Sequence, residues 1–212
     1  MWLVFVCMLI AYLIQRHWDH KKVTNELVVT SLPAAIPSQL SNRHETDIYD
    51  LTYKSTWIAI YNVAVDPDYM EHLLRLYDIQ ADVLLFKPMN GWTIISAEEL
   101  PDLSKPEQNR VLLDILEQLS NQFGEVQYFA NHRTVNYYAW AKFEHGKLKR
   151  AYSYEWKTLL DQGEPTAVET LILSSHICNG ELLPDEEIVL KIAADWSFVP
   201  EGMVLDKRLI LH

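Results

Sequence analysis

An uncharged apolar run at the N-terminus constrains the architecture of this chain more than any other stretch. Residues 1–14 contain no charged side chain, glycine, proline or amide, and residues 15–22 then bring Arg16, Lys21 and Lys22. A bilayer core of about 30 Å normally needs about 20 apolar residues, whereas fourteen helical residues extend about 21 Å. Snorkelling basic side chains and interfacial tryptophans can make up the difference. We therefore predict a transmembrane helix whose bilayer contacts, within residues 1–18, are Trp2, Leu3, Phe5, Leu9, Tyr12, Arg16 and Trp18.

Two other interpretations of this run stay open. A cleaved signal peptide has an apolar region of about 7–15 residues, but no basic residue precedes this run, and the nearest pair of small residues, Ala34-Ala35, lies far downstream. A buried helix of the folded domain is the second alternative. Because basic flanks stay in the cytoplasm, an anchor predicts a single pass through the inner membrane with the domain facing the cytoplasm. Cleavage of the run would instead predict export.

The charge of the chain is unevenly distributed. Because residues 1–22 carry a net charge of +2 and the whole chain carries −11, the remaining residues carry −13. So acidic a domain is repelled by nucleic-acid phosphates, which argues against a nucleic-acid partner and leaves a basic protein partner open. Only two cysteines are present, and Cys7 lies in the apolar run. Cys178 therefore has no predicted disulfide partner, as is typical of a reducing compartment.

Composition divides the chain into three parts. Residues 1–22 form the predicted anchor with its basic collar. Residues 23–50 contain serines, prolines and charges around one short apolar stretch, which is typical of a flexible tether. Residues 51–212 are rich in aromatic and aliphatic side chains and predict a single globular domain. A division of this domain into two lobes near residues 100–105 is the alternative.

Capping and periodicity signals predict the helices. Asp66 followed by Pro67 is a typical helix start. Apolar residues recur at helical spacing over 106–123, with Ser104 as a candidate cap. Further helix starts are predicted at the capping box of residues 166–169 and at the acidic turn of residues 184–187.

Strands are predicted where β-branched and aromatic residues are enriched between turn residues. Asn90-Gly91 predicts a hairpin turn, and residues 144–146 predict a second one. The predicted strands are 57–65, 81–87, 92–96, 126–130, 135–143, 147–156 and 203–210.

This order of elements predicts an α+β fold, with a mainly antiparallel sheet and helices packed on one face, preceded by the N-terminal transmembrane helix. The hairpin region 126–156 carries more aromatic residues than one face of alternating strands can hold. Some of them must lie on a second face. That face is either covered by the helices of the C-terminal part or exposed as a binding surface.

No catalytic motif is recognisable, since the chain lacks the glycine-rich phosphate loops, the nucleophile elbow and the zinc-binding spacings. No cofactor and no metal are predicted, and His176, Cys178 and Glu181 are too few for a zinc site. Lys147, Lys149 and Arg150 are interpreted mainly as charges that protect an exposed sheet edge. The candidate binding residues are His132, Arg133, Tyr137, Tyr138, Trp140, Arg150 and Tyr152.

These observations favour a membrane-anchored, bacterial-type cytoplasmic protein that acts by binding another protein, as an adaptor or an immunity protein does. The alternative is an enzyme whose site lies beside His132 and Arg133, where an arginine could hold an anion with two hydrogen bonds.

Overall fold

A computed structural model of the protein describes residues 48–61, 65–97, 99–174, 177–178 and 181–211. The predicted anchor and most of the predicted tether lie outside the described residues. Within them, no helix is both long enough and apolar enough to cross a membrane. Ile48 and Tyr49, at the end of the predicted tether, form a short strand instead.

A nine-stranded antiparallel sheet forms the centre of the domain, in the order β1-β11-β3-β4-β2-β5-β6-β7-β8. Its strands are β1 (Ile48–Tyr49), β2 (Ser55–Tyr61), β3 (Asp82–Phe86), β4 (Trp92–Ser96), β5 (Glu125–His132), β6 (Tyr137–Glu144), β7 (Lys147–Glu155), β8 (Thr158–Gly163) and β11 (Met203–Ile210). A separate two-stranded sheet pairs β9 (Ile177–Cys178) with β10 (Glu181–Leu182). β2 pairs with β4, which precedes residues 100–105, and with β5, which follows them. A single sheet therefore spans the position at which the alternative prediction divides the domain into two lobes.

Four described helices pack against the large sheet: α1 (Pro67–Leu76), α2 (Pro106–Phe123), α3 (Ala167–Leu173) and α4 (Glu186–Trp196). The predicted caps at Asp66 and Thr166 are confirmed, because Asp66 accepts from the N–H of Asp68 and Thr166 forms the full capping box with Glu169. The predicted Ser104 cap is wrong. Lys105 holds the N-cap position of α2 without a side-chain bond, while the Ser104 hydroxyl donates to Asp102.

The α+β fold with a large antiparallel sheet is confirmed, but the helices cover both faces of the sheet instead of one. Along β2, Ile58 and Ile60 pack into the cluster beneath α1 and α2. Trp57 and Ala59 pack into the cluster beneath α3 and α4. The physical reason is that the central strands are apolar on both sides, so each side needs its own cover.

Candidate functional site

Of the seven candidate binding residues, the structure leaves only Arg133 well exposed. His132 is half-buried at the end of β5. The other five are buried: Tyr137, Tyr138, Trp140, Arg150 and Tyr152. Most of these five lie in the cluster beneath α3 and α4, where the Trp140 and Tyr152 rings stack at 4.6 Å. The aromatic face of the hairpin is therefore part of the core. Of the two possibilities that the sequence left open, the face is covered by helices and is not an exposed binding surface.

His132 belongs to a polar group on the α2 side of the sheet. Its Nε2 lies 2.8 Å from Oγ1 of Thr56. Burial lowers the pKa of His132, and the nearby carboxylate of Asp102 partly offsets this shift. Beside it, burial raises the pKa of Tyr137, whose hydroxyl accepts from the N–H of Leu103 at 2.8 Å. This environment keeps the imidazole and the phenol uncharged near neutral pH.

Arg133 has different partners. Its guanidinium lies 4.3 Å from the ring centre of Tyr53 and donates to the Tyr53 hydroxyl at 2.9 Å. The carboxylate of Glu186, at the start of α4, lies 3.7 Å away. His132 and Arg133 are thus adjacent in the chain, but their side chains do not share a contact that would hold one ligand between them.

Arg150 is the centre of a buried polar network instead of an exposed binding group. Its side chain is 1% exposed, and Nε donates at 2.7 Å to the fully buried carboxylate of Glu169. Trp140 donates to the same Glu169 oxygen at 2.8 Å. The other Glu169 oxygen accepts from the N–H and the hydroxyl of Thr166. A buried charge needs such partners because desolvation would otherwise be costly.

The same arginine also fixes the outermost strand. Its NH1 group donates to the carboxylate of Asp161 at 2.5 Å and to the carbonyls of Gln162 and Gly163 at 3.2 and 3.1 Å. These three residues form the second half of β8, so a buried cation holds that half against β7. The result is an edge strand in a well-defined position.

Lys147 and Lys149 are exposed at the start of β7, before Arg150, which is the first β7 residue that pairs with β8. Their role in protecting a sheet edge stays a prediction, whereas Arg150 is buried and has another role. The outermost strand on this side is β8, whose sequence T-L-L-D-Q-G contains no lysine and no proline. Nothing in the sequence pattern predicted β8 as a strand, because its residues do not alternate and its position depends on pairing with β7 and on the bonds from Arg150.

A second group of exposed residues lies in three loops at one end of the sheet, and sequence reasoning missed it. Trp156 is 75% exposed, Val135 52% and Tyr53 41%. The alternation of Tyr152 and Tyr154 along β7 would place Trp156 in the core. The structure shows the opposite, because Trp156 adopts a φ of 60° in the turn that ends the strand.

Metal binding finds no support in the described part of the chain, where no group of three or more His, Cys, Asp or Glu side chains could hold an ion. His176 lies outside the described residues, and so do the side chains of Cys178 and Glu181.

No protein-family model, curated protein or solved structure matches this chain at a significant level. No relative therefore supplies a role for any of these residues.

Proposed function

We propose that this protein is a membrane-anchored, bacterial-type cytoplasmic module that acts by binding another protein, in the manner of an adaptor or an immunity protein. In this proposal a single-pass N-terminal helix within residues 1–22 holds the chain in the inner membrane, and the domain faces the cytoplasm. The mass of the protein isolated from membranes tests the anchor. An intact N-terminus supports it, whereas a mature start beyond residue 22 would mean cleavage and export.

The outer edge of β8 is the observation that supports protein binding best. No described strand pairs with this edge, so its outward N–H and C=O groups are available as a template for another strand. Natural edge strands are usually protected by lysine or another charged side chain, by proline, by a β-bulge, by short length or by a covering segment. β8 has no lysine or proline, and its one charged side chain, Asp161, is paired with Arg150, which holds the strand in place. Addition of a partner strand at such an edge obtains its affinity from main-chain hydrogen bonds.

Charge indicates the chemistry of the partner. Residues 23–212 carry a net charge of −13, and the side chains of Asp161 and Glu164 are exposed on and just after β8. Electrostatic complementarity speeds association and disfavours partners of the same sign. The proposed partner therefore contributes an extended segment with basic side chains.

A photo-crosslinking residue in place of Gln162 in the full chain identifies the partner, and paired lysine variants then test the edge. Thr158→Lys with Gln162→Lys adds two positive charges to β8, which repel a basic strand. We expect the dissociation constant of the purified complex to rise at least tenfold. Gln80→Lys with Gln122→Lys adds the same charge at exposed positions away from β8 and should leave binding unchanged. Equal weakening by both pairs would contradict the proposed edge.

A further inference from the structure

Three loops meet at one end of the large sheet: residues 52–54, 133–136 and 156–157. We call them together the sheet-end surface. Strand pairing places them side by side. Ser55 of β2 pairs with Asn131 of β5, and Tyr137 of β6 pairs with Glu155 of β7. The loops that precede or follow these residues therefore project from the same end of neighbouring strands.

Side-chain contacts hold the first two loops together. The Asn131 amide donates to the carbonyl of Thr52 at 2.9 Å. Arg133 stacks on Tyr53 and donates to its hydroxyl. The third loop presents Trp156 in a left-handed backbone conformation, which is unfavourable for a bulky residue and is kept mainly where the surroundings require it. The indole is therefore held out of the core by the turn itself.

The composition of this surface differs from the rest of the domain. Its nine residues include three exposed basic side chains, Lys54, Arg133 and Lys157, and no acidic residue. Beside them lie the exposed side chains of Trp156 and Val135. The nine loop residues carry a net charge of +3, in a region of the chain whose total is −13. Two acidic side chains border them, since Glu186 lies 3.7 Å from Arg133 and Asp50 accepts from Thr52.

We propose that the sheet-end surface docks on the anionic cytoplasmic face of the membrane in which residues 1–22 are anchored. The inference rests on the anchor of the proposed function and adds a second membrane contact to it. Tryptophan and tyrosine favour the interfacial layer of a bilayer, and basic side chains are attracted to anionic headgroups. The acidic remainder of the domain is repelled by the same headgroups, so the domain docks end-on.

Because the intervening chain keeps the domain near the membrane, a weak contact is enough to hold the sheet-end surface on the bilayer. Twenty-five residues, 23–47, lie between the predicted anchor and β1. As the flexible tether that their composition predicts, these residues would have a root-mean-square span of about 25–30 Å. A domain confined so close to the bilayer has a high effective concentration at its surface. β8 starts at this end and runs away from it, so end-on docking leaves the β8 edge accessible to a partner.

Fluorine NMR of the full chain in lipid nanodiscs tests the docking directly. With 5-fluorotryptophan at all seven tryptophans, a spin label on the lipid headgroup broadens the signals of indoles close to the interface. We expect broadening at Trp156, assigned by Trp156→Asn. Trp2 and Trp18 report on the anchor, and the fully buried Trp57 and Trp140 serve as unaffected references.

The outcomes separate the two proposals. A sharp Trp156 signal together with broadened Trp2 and Trp18 signals would overturn the docking and leave the anchor in place. Sharp signals at all three would overturn both. If Trp156 is instead shielded from a water-soluble paramagnetic reagent and from the lipid label alike, a protein or a second copy of the chain covers the surface, and membrane docking is rejected.

Charge variants test the mechanism of docking. Each basic residue near an anionic surface contributes about a fivefold gain in affinity. A triple glutamine variant at Lys54, Arg133 and Lys157 should therefore lower the docking constant about 100-fold and sharpen the Trp156 signal. The matched control changes three exposed bases elsewhere, Lys147, Lys207 and Arg208, and should keep the signal broad. Equal sharpening in both variants would show that only total charge matters and would reject a specific docking surface.

Discussion

Glu169 joins a helix to the sheet through both of its carboxylate oxygens. One oxygen accepts from Trp140 and Arg150 of the sheet, and the other accepts from Thr166 at the start of α3. A single side chain thus caps a helix, neutralises a buried cation and satisfies an indole N–H.

Replacement of Glu169 by alanine should destabilise the fold by about 3–5 kcal/mol, because it leaves the guanidinium of Arg150 buried without its main partner. Urea unfolding of the full chain in mild detergent, followed by tryptophan fluorescence, measures this change. Asp161→Asn is the control. Asp161 bonds to the same arginine but is 58% exposed, so its loss should cost at most about 1 kcal/mol. A cost below about 1 kcal/mol for Glu169→Ala would contradict the role of the network.

His132 makes stability depend on pH. Burial lowers its pKa in the folded state, while the unfolded chain keeps the usual value of about 6.5. The unfolded state therefore binds the proton more readily, and stability falls as the pH drops through about 6.5. The free energy of unfolding should decrease more between pH 7.5 and 5.5 in the native protein than in His132→Gln. Equal losses in the two proteins would refute the assignment.

Individual site residues were the hardest features to predict. Arg133 and Arg150 look alike in the sequence, as basic residues near aromatic strands. The structure exposes the first and buries the second, because the carboxylate that neutralises Arg150 comes from Glu169, nineteen positions later on another element. No residue close to Arg150 in the sequence indicates that Glu169 is its partner.

Among the elements, β8 depends on a glycine at its end. Gly163 has a φ of 80°, and a Cβ there would overlap the backbone carbonyl oxygen of Lys149. Gly163→Ala should therefore destabilise the protein by about 2–3 kcal/mol and loosen the end of β8. Gly202→Ala is the matched control, because its φ is also positive but no atom lies near the added Cβ. Its cost should be about 1 kcal/mol, and equal costs in urea titrations would contradict the packing described for β8.

Elements whose signals are local were predictable. The cap at Asp66, the turn at Asn90-Gly91 and the capping box at Thr166 depend on residues within four positions of each other, and the structure contains all three. The predicted strand through Trp156 was wrong at its end. A left-handed residue there stops β7 at Glu155, and a tryptophan gives no turn signal.

For the whole molecule, the fold class was predictable, but the covering of both faces of the sheet by helices was not. Alternating apolar patterns indicated a sheet, and the order of elements excluded a regular parallel one. Which strands are neighbours depends on pairings such as β3 with β11, far apart in sequence. Such pairings place β2 in the middle of the sheet, and because β2 is apolar on both sides, each face of the sheet needs a cover of helices.

The two proposed surfaces lie at different places on the domain. In these proposals the sheet-end surface faces the bilayer, and the β8 edge takes an extended segment of a partner. A partner bound at that edge would be held close to the membrane.

Hydrogen exchange of the β8 amides in the purified complex shows whether a partner strand adds to this edge. The N–H groups that point away from β7 should exchange quickly in the free protein and become protected when the partner binds, while β11 at the opposite side of the sheet stays unchanged. A stable complex that leaves the exchange of residues 158–163 as it was would contradict strand addition at this edge.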